Sequence, residues 1–371
     1  MRFYNHSHRF YGGVDLHART LSLCILDTAG QAVLQQTLPA NPTAFLKAIT
    51  PFRDGLAVAC ECLFAWYWLA DLCHQQEVPF VLGHALYMKA IHGGKAKTDK
   101  IDAHKIAVLL RGGLLPQAYV YPKGMRETRD LLRRRTYLVR QRAQLLTHLQ
   151  ILNAQYNLAP FPQRLCYAAN RAAMQIAERF ADASVQRSAA ANLAVIDRLD
   201  EVIADVERYL RRTAQVDGVQ TYHRLQTIPG VGKLLALILL YEMHQVQRFA
   251  SAGQFLSYAR LVRCVHESAG KKLGTGGRKI GNAHLRWAFA EAACLLVQHS
   301  ERAKRWKQRQ GAQRGNGKAL AILAARLARA VYHMLRKGEA FDEDRFWAGR
   351  PRPSATGSSS LSRPEVEHAR A

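Results

Sequence analysis

Two aspartates three residues apart place the strongest constraint on how this chain can fold. Asp99 and Asp102 stand at the start of the segment 98–110, which the sequence predicts to be a helix. Residues i and i+3 share one helix face, and Ile106 and Leu109 continue that face. Both acids should therefore point inward. Because buried carboxylates are costly without a cation or a hydrogen-bond donor, the pattern predicts a partner for this pair.

Two earlier acids complete a possible metal site. Asp15 lies in the predicted strand Gly12–His17, and Glu61 ends the apolar segment Leu56–Glu61. Carboxylates that converge from separate elements are typical of a divalent-cation site. Hard oxygen ligands suit Mg²⁺. We therefore predict that Asp15, Glu61, Asp99 and Asp102 bind Mg²⁺ (or Mn²⁺).

The charge of the chain predicts a polyanionic partner. Its 371 residues include 53 Lys and Arg against 28 Asp and Glu, which gives a net charge of +25. Such an excess favours nucleic acid over a membrane, and no apolar run is long enough to span a bilayer. The N-terminus lacks the apolar segment of a signal peptide, and the seven cysteines include no Cys-x-x-Cys pair. We expect a reduced, cytoplasmic protein that associates with nucleic acid and has no structural zinc.

The order of predicted elements indicates the fold of the first domain, 9–122. Two strands within 11–27 and a third at 32–38 precede a helix at 42–49, and strands at 56–61 and 79–82 then alternate with helices. This order is that of a ribonuclease-H-like (RuvC-like) α/β fold. In that fold the first and fourth strands are neighbours, which would set Asp15 beside Glu61.

A basic helical region follows over 123–215. Leucines recur every seventh residue from Leu131 to Leu152, and a second helix carries an a/d pattern from Ile196 to Leu210. A coiled-coil dimer, a helical hairpin and ordinary core stripes all fit these spacings. Arginines between the leucines form either a solvated face or a phosphate-binding one, and we favour phosphate contacts. The arginines concerned are Arg129, Arg133, Arg134 and Arg140.

The last domain, 220–338, is predicted to be mainly helical. The turn Ile228–Gly232 precedes an apolar helix, as in a helix-hairpin-helix, and the backbone of Gly230, Gly232 and Lys233 could bind phosphate there. A plain packing corner is the alternative. A glycine- and lysine-rich loop follows over 270–281. Ser268 stands just before it and could bind phosphate or attack it, among the basic residues Lys271, Lys272, Arg278 and Lys279. No general base is visible near the serine. The Pro/Ser-rich tail, 348–371, is predicted to be disordered.

Together these motifs resemble the DEDD transposases of bacterial insertion sequences, the IS110 family, over residues 10–335. The segments around Asp15, Glu61 and 97–103 resemble its RuvC-like domain, and 228–232 and 268–286 resemble its C-terminal transposase domain. The resemblance implies that the four acids hold magnesium. It also implies that Ser268 attacks DNA and forms a phosphoserine intermediate, as in the related Piv-type DNA invertases.

The same resemblance implies partners that composition does not reveal. They are the element ends and target DNA, a structured bridge RNA encoded by the element, and further copies of the chain in a dimer or tetramer. Two departures affect the serine loop: the segment 259–263 reads Ala-Arg-Leu-Val-Arg, and Ala269 stands where a glycine is frequent.

Four hypotheses follow for the function. The first is a transposase that transfers DNA strands through a phosphoserine. The second is a RuvC-like nuclease that uses water, with Ser268 only a phosphate ligand, and the third is a site-specific DNA invertase. The fourth is a non-catalytic nucleic-acid-binding relative. A simpler interpretation makes the acids separate caps and surface charges, with Thr98 or Asp99 capping the helix.

Overall fold

The computed structural model describes residues 2–91, 98–213, 218–262, 264–276 and 280–348, without the side chains of 264–266 and 272–276. It divides into two compact units, 1–196 and 197–371. The predicted helical middle is thus shared between the units. Arg278, Lys279, Lys97 and nearly all of the predicted tail lie outside the described residues. No helix in the described part of the chain is long and apolar enough to cross a membrane.

Among its described residues the first unit contains a five-stranded sheet and seven α-helices, the last of which, α7, continues into the second unit. In chain order its elements are β1 (Phe3–Tyr4), β2 (Phe10–Leu16), β3 (Thr20–Leu26), β4 (Ala32–Pro39), α1 (Pro42–Ile49), β5 (Leu56–Glu61), α2 (Trp66–Gln75), β6 (Phe80–Gly83), α3 (Ala85–Ile91), α4 (Asp99–Arg111), β7 (Leu115–Pro116), α5 (Met125–Gln155), α6 (Ala168–Ala173) and α7 (Ala183–Thr213).

The sheet has the strand order β4-β3-β2-β5-β6. The first three strands are antiparallel, whereas β2, β5 and β6 run parallel. The prediction that the first and fourth strands of the sheet are neighbours is confirmed, because β2 pairs with β5. Alternate residues point to opposite faces, so Val14 and Leu16 join the core beneath α1 and α2. Tyr11 joins a second core with Ile106 and Leu109 of α4.

Helix α5 confirms the predicted basic helix, and its regularly spaced leucines differ in burial. Leu149 and Leu152 share a buried core with Ala189 and Ile196 of α7. Leu131 and Leu138, by contrast, are only half-buried. The buried leucines therefore belong to a helical core within the first unit.

The second unit is mainly helical, as predicted. After the end of α7 it contains α8 (Val219–Gln226), α9 (Lys233–Met243), α10 (Ala252–Tyr258), β8 (Cys264–Ser268), β9 (Lys271–Gly276), α11 (Ala283–His299), α12 (Glu301–Arg314), α13 (Asn316–Lys337) and α14 (Glu343–Trp347). Helix α9 is buried from Leu235 to Met243, with α8 and α11 beside it. The predicted loop over 270–281 is wrong in part, because 271–276 form β9 in a hairpin with β8.

Candidate active site

Helix α4 lies directly on β2, and a glycine makes this approach possible. A Cβ atom at Gly13 would stand 2.2 Å from the Ala103 carbonyl oxygen and 2.4 Å from the Ala107 nitrogen. Ala103 and Ala107 are themselves fully buried. Asp15, two residues after Gly13, points to the same face of the sheet. The small residues therefore bring the start of α4 against the end of β2.

Three side chains meet where β2 and α4 come together. Ligand atoms of Asp15, His17 and Asp99 all lie within 4.8 Å of one another. The Nε2 atom of His17 is 3.5 Å from a carboxylate oxygen of Asp15 and 3.5 Å from one of Asp99. This nitrogen is buried and makes no hydrogen bond in the described structure. Two carboxylates and a polar nitrogen without a hydrogen-bond partner form a donor set that fits a divalent cation.

The electrostatics of Asp15 agree with such a site. Its side chain is only 8% exposed. Burial raises the pKa of Asp15, the charges of Asp99 and Asp102 raise it further, and His17 opposes them. The charged carboxylate is therefore held in a place that disfavours it. A bound cation would offset both the burial and the mutual repulsion of the acids.

The other two predicted acids lie near this cluster but are not among its three members. Asp102 is close enough to raise the pKa of Asp15, and its carboxylate pairs with Lys105 at 3.4 Å. Glu61 ends β5, next to Cys60, which pairs with Val14. Strand alternation places Glu61 on the same face of the sheet as Asp15.

The predicted inward orientation holds only in part. The Asp99 side chain is 56% exposed, so the prediction is wrong for that residue, while Asp102 is 27% exposed. Both acids lie in the first turn of α4, ahead of Ala103 and Ala107, the residues through which the helix packs on β2. The cap is Thr98, whose hydroxyl accepts a hydrogen bond from the Ile101 amide. Neither aspartate is therefore needed as the cap.

Ser268 lies at the tip of the β8–β9 hairpin and is exposed. It pairs with Lys271 across a turn formed by Ala269 and Gly270, which have φ values of 48° and 73°. Two successive left-handed residues are typical of the tight turn of a hairpin. The side chain of Ser268 is thus presented to solvent, directly across the hairpin from the exposed Lys271.

A buried polar cluster fixes both ends of this hairpin segment. Asn282 caps α11 by accepting the Leu285 amide, and it donates to the buried carboxylate of Glu242 at 2.7 Å. The backbone N–H of Asn282 donates to the carbonyl of Tyr258 at the end of α10. Arg260 donates to the carbonyl of Gly281 at 2.7 Å. The chain therefore leaves the helical core and returns to it at one anchored point.

The arginines predicted to bind nucleic acid differ in position along α5. Arg129 is only 9% exposed, and its guanidinium lies 3.8 Å from the centroid of the Tyr121 ring. Arg129 packs α5 against Tyr121, and its burial leaves little of its guanidinium exposed to bind phosphate. Arg133 is half-buried, whereas Arg134 and Arg140 are exposed.

The predicted phosphate-binding turn has two different glycines. Gly230 has a φ of 84°, and a Cβ there would stand 2.7 Å from the Leu295 Cβ, so it is required for packing on α11. Gly232 and Lys233, at the N-terminus of α9, are exposed, with open space around Gly232. Lys271 is exposed near Ser268, and Lys272 lies in β9 opposite Glu267.

Sequence reasoning missed two parts of the site. His17 belongs to the cluster, and its spacing of two from Asp15 in a strand was the available signal. The pairing of Glu242 with Asn282 spans forty residues and leaves no local pattern. An acid inside the apolar α9 helix was the only hint of it.

Comparisons with known proteins agree with this architecture. A family model for the DEDD transposases of IS110 elements matches residues 12–157, which include all four predicted acids. A second model, described as "Transposase IS116/IS110/IS902 family", matches residues 222–308, which include Ser268 and Asn282. Together the two models cover more than half of the chain.

Relatives extend the similarity over nearly the full length. The chain is 24% identical over 339 residues to the transposase for insertion sequence element IS1111A of Coxiella burnetii, which covers 89% of this chain and 90% of that protein. It is 28% identical over 149 residues to the transposase for IS1328 of Yersinia enterocolitica, which covers 39% of this chain and 44% of that one. With both domain models matched in the expected order, the chain belongs to the IS116/IS110/IS902 family of transposases, enzymes that cut and rejoin DNA.

Proposed function

We propose that this transposase transfers DNA strands with a ribonuclease-H-like acidic site and a serine nucleophile. The observation that carries the proposal is the cluster of Asp15, His17 and Asp99 at the C-terminal end of β2, the central strand of the five-stranded sheet. Glu61 and Asp102 complete the donor set that holds Mg²⁺ or Mn²⁺. When bound, the cation supplies positive charge for the oxygens of the scissile phosphate.

The serine carries the covalent chemistry in this proposal. The Ser268 Oγ gives up its proton and bonds to phosphorus, while the bond from phosphorus to a 3′ oxygen breaks and that oxygen leaves as a 3′ hydroxyl. A 3′ hydroxyl of another strand then attacks the phosphoserine, forms the new phosphodiester and returns the serine hydroxyl. Each step exchanges one phosphoester for another, so no external energy source is required. The exposure of Ser268 at the hairpin tip supports this role.

Nucleic-acid contacts in the proposal come from the exposed basic residues. Arg134 and Arg140 of α5, Lys233 of α9 and Lys271 beside Ser268 are placed in solvent. Their contacts with phosphate would make binding fall steeply as salt rises. By resemblance to the family, the partners are the element ends, target DNA and an element-encoded bridge RNA. The working unit is a homo-oligomer.

Trapping the covalent intermediate tests the proposal. The protein is incubated with RNA from its own element, labelled junction DNA and Mg²⁺, then denatured and digested for mass spectrometry. We expect a DNA adduct on Ser268 that disappears in the Ser268→Ala and Asp102→Asn proteins. Ser257→Ala, which removes another exposed serine of the second unit, is the matched control and should retain the adduct.

The hydrolytic nuclease is the second candidate, because the acidic cluster lies wholly within the first unit. It predicts cleaved DNA without an adduct, and full cleavage by Ser268→Ala. An Asp15→Asn protein should be inactive under both hypotheses. Undiminished metal-dependent cleavage by that variant would contradict both.

A further inference from the structure

A pocket in the second unit is lined by arginine and tryptophan side chains, none of which belongs to the acidic cluster or to the serine hairpin. It has a volume of about 580 Å³ and lies among α12, α13 and α14. We propose that this pocket binds an unpaired nucleotide of a nucleic-acid strand, with the base on an indole face and the phosphate on arginine. The proposal rests on the proposed function only in taking nucleic acid as the partner. The side chains that carry it are Arg302, Arg305, Trp306, Arg309, Arg326 and Trp347.

The aromatic part of the pocket consists of two half-buried tryptophans. The ring centroids of Trp306 and Trp347 are 6.1 Å apart with their planes at 42°. Phe346 supports Trp347 from within, with centroids 4.7 Å apart, and the indole nitrogen of Trp347 donates to Glu343 at 3.1 Å. The rings are thus held by packing and a hydrogen bond, while both still line the pocket. Unpaired bases stack on the faces of aromatic side chains that are fixed in this way.

Two of the arginines hold the pocket together. Arg302 forms an ion pair with Asp344, which fixes α12 to α14. Arg326 donates to the carbonyl of Phe346, and its guanidinium lies 5.0 Å from the centroid of the Trp347 ring. Burial lowers the pKa of Arg326, which agrees with a role inside the wall. These contacts shape the pocket before any ligand enters.

The other two arginines are placed to meet a phosphate. Arg305 and Arg309 are exposed, line the pocket and lie four residues apart, so they share one face of α12. Guanidinium groups bind phosphate oxygens in a bidentate manner and also stack on bases. A base paired within a duplex keeps its faces stacked on its neighbours. Aromatic side chains beside exposed arginines therefore select an unpaired nucleotide over a duplex.

Photo-cross-linking of the full-length protein tests the proposal. Three probes of equal length carry 5-bromouracil: single-stranded DNA, single-stranded RNA, and the DNA strand annealed to its complement. Binding is measured without divalent cation, and the cross-linked peptide is identified by mass spectrometry. We expect cross-links at Trp306 or Trp347 with at least one single strand and few with the duplex. The stronger single-stranded arm identifies DNA or RNA as the source of the nucleotide.

Substitutions distinguish binding in the pocket from non-specific binding through positive charge. Trp306→Leu keeps an apolar side chain and should weaken single-strand binding on the order of tenfold, with a thermal melt to check folding. Arg309→Ala should weaken binding more than Arg314→Ala, which removes an exposed arginine of α12 outside the pocket lining. Cross-links confined to other segments, or equal binding by Trp306→Leu and the unchanged protein, would overturn the proposal. Asp15→Asn should cross-link normally, so failure of the pocket and failure of the acidic site remain distinguishable.

Discussion

The acidic cluster and the serine hairpin are built in opposite ways. Asp15 is 8% exposed on β2, the central strand of the five-stranded sheet, and α4 packs against that strand through buried alanines. Ser268 is exposed at the tip of a hairpin whose two strands form a sheet of their own. The acids are positioned by a core, whereas the serine is positioned by a turn and by the anchored ends of its segment. Substitutions should therefore affect the two regions differently.

Because of this difference, the acidic cluster affects both the stability and the activity of the protein, whereas the serine affects its activity alone. The site of Asp15 disfavours its charge, so the protein maintains the acidic cluster at a cost in stability. The serine has no such cost, because its side chain is in solvent. Removing an acid should abolish chemistry without unfolding the chain, while changing the packing behind the acid should do both.

The largest expected effect is that of Asp15→Asn. We expect strand cleavage to fall by about a thousandfold, since a metal site is worth several kcal/mol of transition-state stabilisation. The melting temperature should stay equal or rise, because the amide removes a buried charge beside Asp99 and Asp102. Cleavage rates and thermal melts measure the two effects. The control is Asp54→Asn, an acid of the same unit that is 97% exposed, and equal losses in both proteins would contradict the prediction.

The next largest effect should come from Gly13→Ala. Its Cβ would stand 2.2 Å from a backbone oxygen of α4, so the helix must move away from the sheet. We expect a loss of about 3 kcal/mol in the free energy of unfolding of the first unit. Gly12→Ala is the matched control, because a Cβ there meets its neighbours at an ordinary 3.5 Å. Denaturant unfolding measures both, and similar stabilities for the two variants would show that α4 does not require the glycine.

The same two regions mark how far sequence could predict this molecule. The strand that carries Asp15 was predictable from its alternation and the strand that carries Glu61 from its continuous apolar run, and turn residues bound both. The pairing of β2 with β5 followed from the order of elements. The exposure of Asp99 was not predictable, because it depends on where along α4 the contact with β2 begins. The spacing of apolar residues predicts which face of a helix is buried, but it does not predict where along the helix that burial begins.

The hairpin shows a different limit. Glycines and lysines over 270–276 indicated a loop, and only pairing with Cys264–Ser268 makes this segment a strand. Cross-strand contacts override weak local preferences. The cluster of Asn282 and Glu242 was missed for a related reason, since the two residues meet only in the folded second unit.

Asn282→Ala sharpens the comparison by loosening the ends of the hairpin segment. It removes the cap of α11 and the hydrogen bond to the buried Glu242 carboxylate, so we expect a loss of about 2–3 kcal/mol. Ser251→Ala removes a cap of α10 that has only a backbone partner, and it should cost about 1 kcal/mol. The difference between the two variants reports the hydrogen bonds that the Asn282 side chain donates to Glu242 and to the Tyr258 hydroxyl. Unfolding curves that coincide would show that these hydrogen bonds contribute little.

The smallest effect is expected at the hairpin turn itself. Ala269 has a φ of 48°, a conformation that costs a residue with a Cβ roughly 1 kcal/mol more than it costs glycine. We expect Ala269→Gly to slow hydrogen exchange of the β8 and β9 amides by up to about fivefold, without changing the melting temperature of the second unit. Slowing would mean that left-handed strain at Ala269 limits the order of the turn.

Gly270→Ala provides the opposite change at the neighbouring position. Its φ is 73°, and a Cβ there has nothing within 4 Å, so any effect comes from backbone strain alone. Exchange of the same amides should become faster by a similar factor. If both substitutions leave exchange unchanged, the turn does not position Ser268, and the anchored ends at Tyr258 and Gly281 must do so instead. If they act in opposite directions, the serine is positioned by its turn, as the acids are by their core.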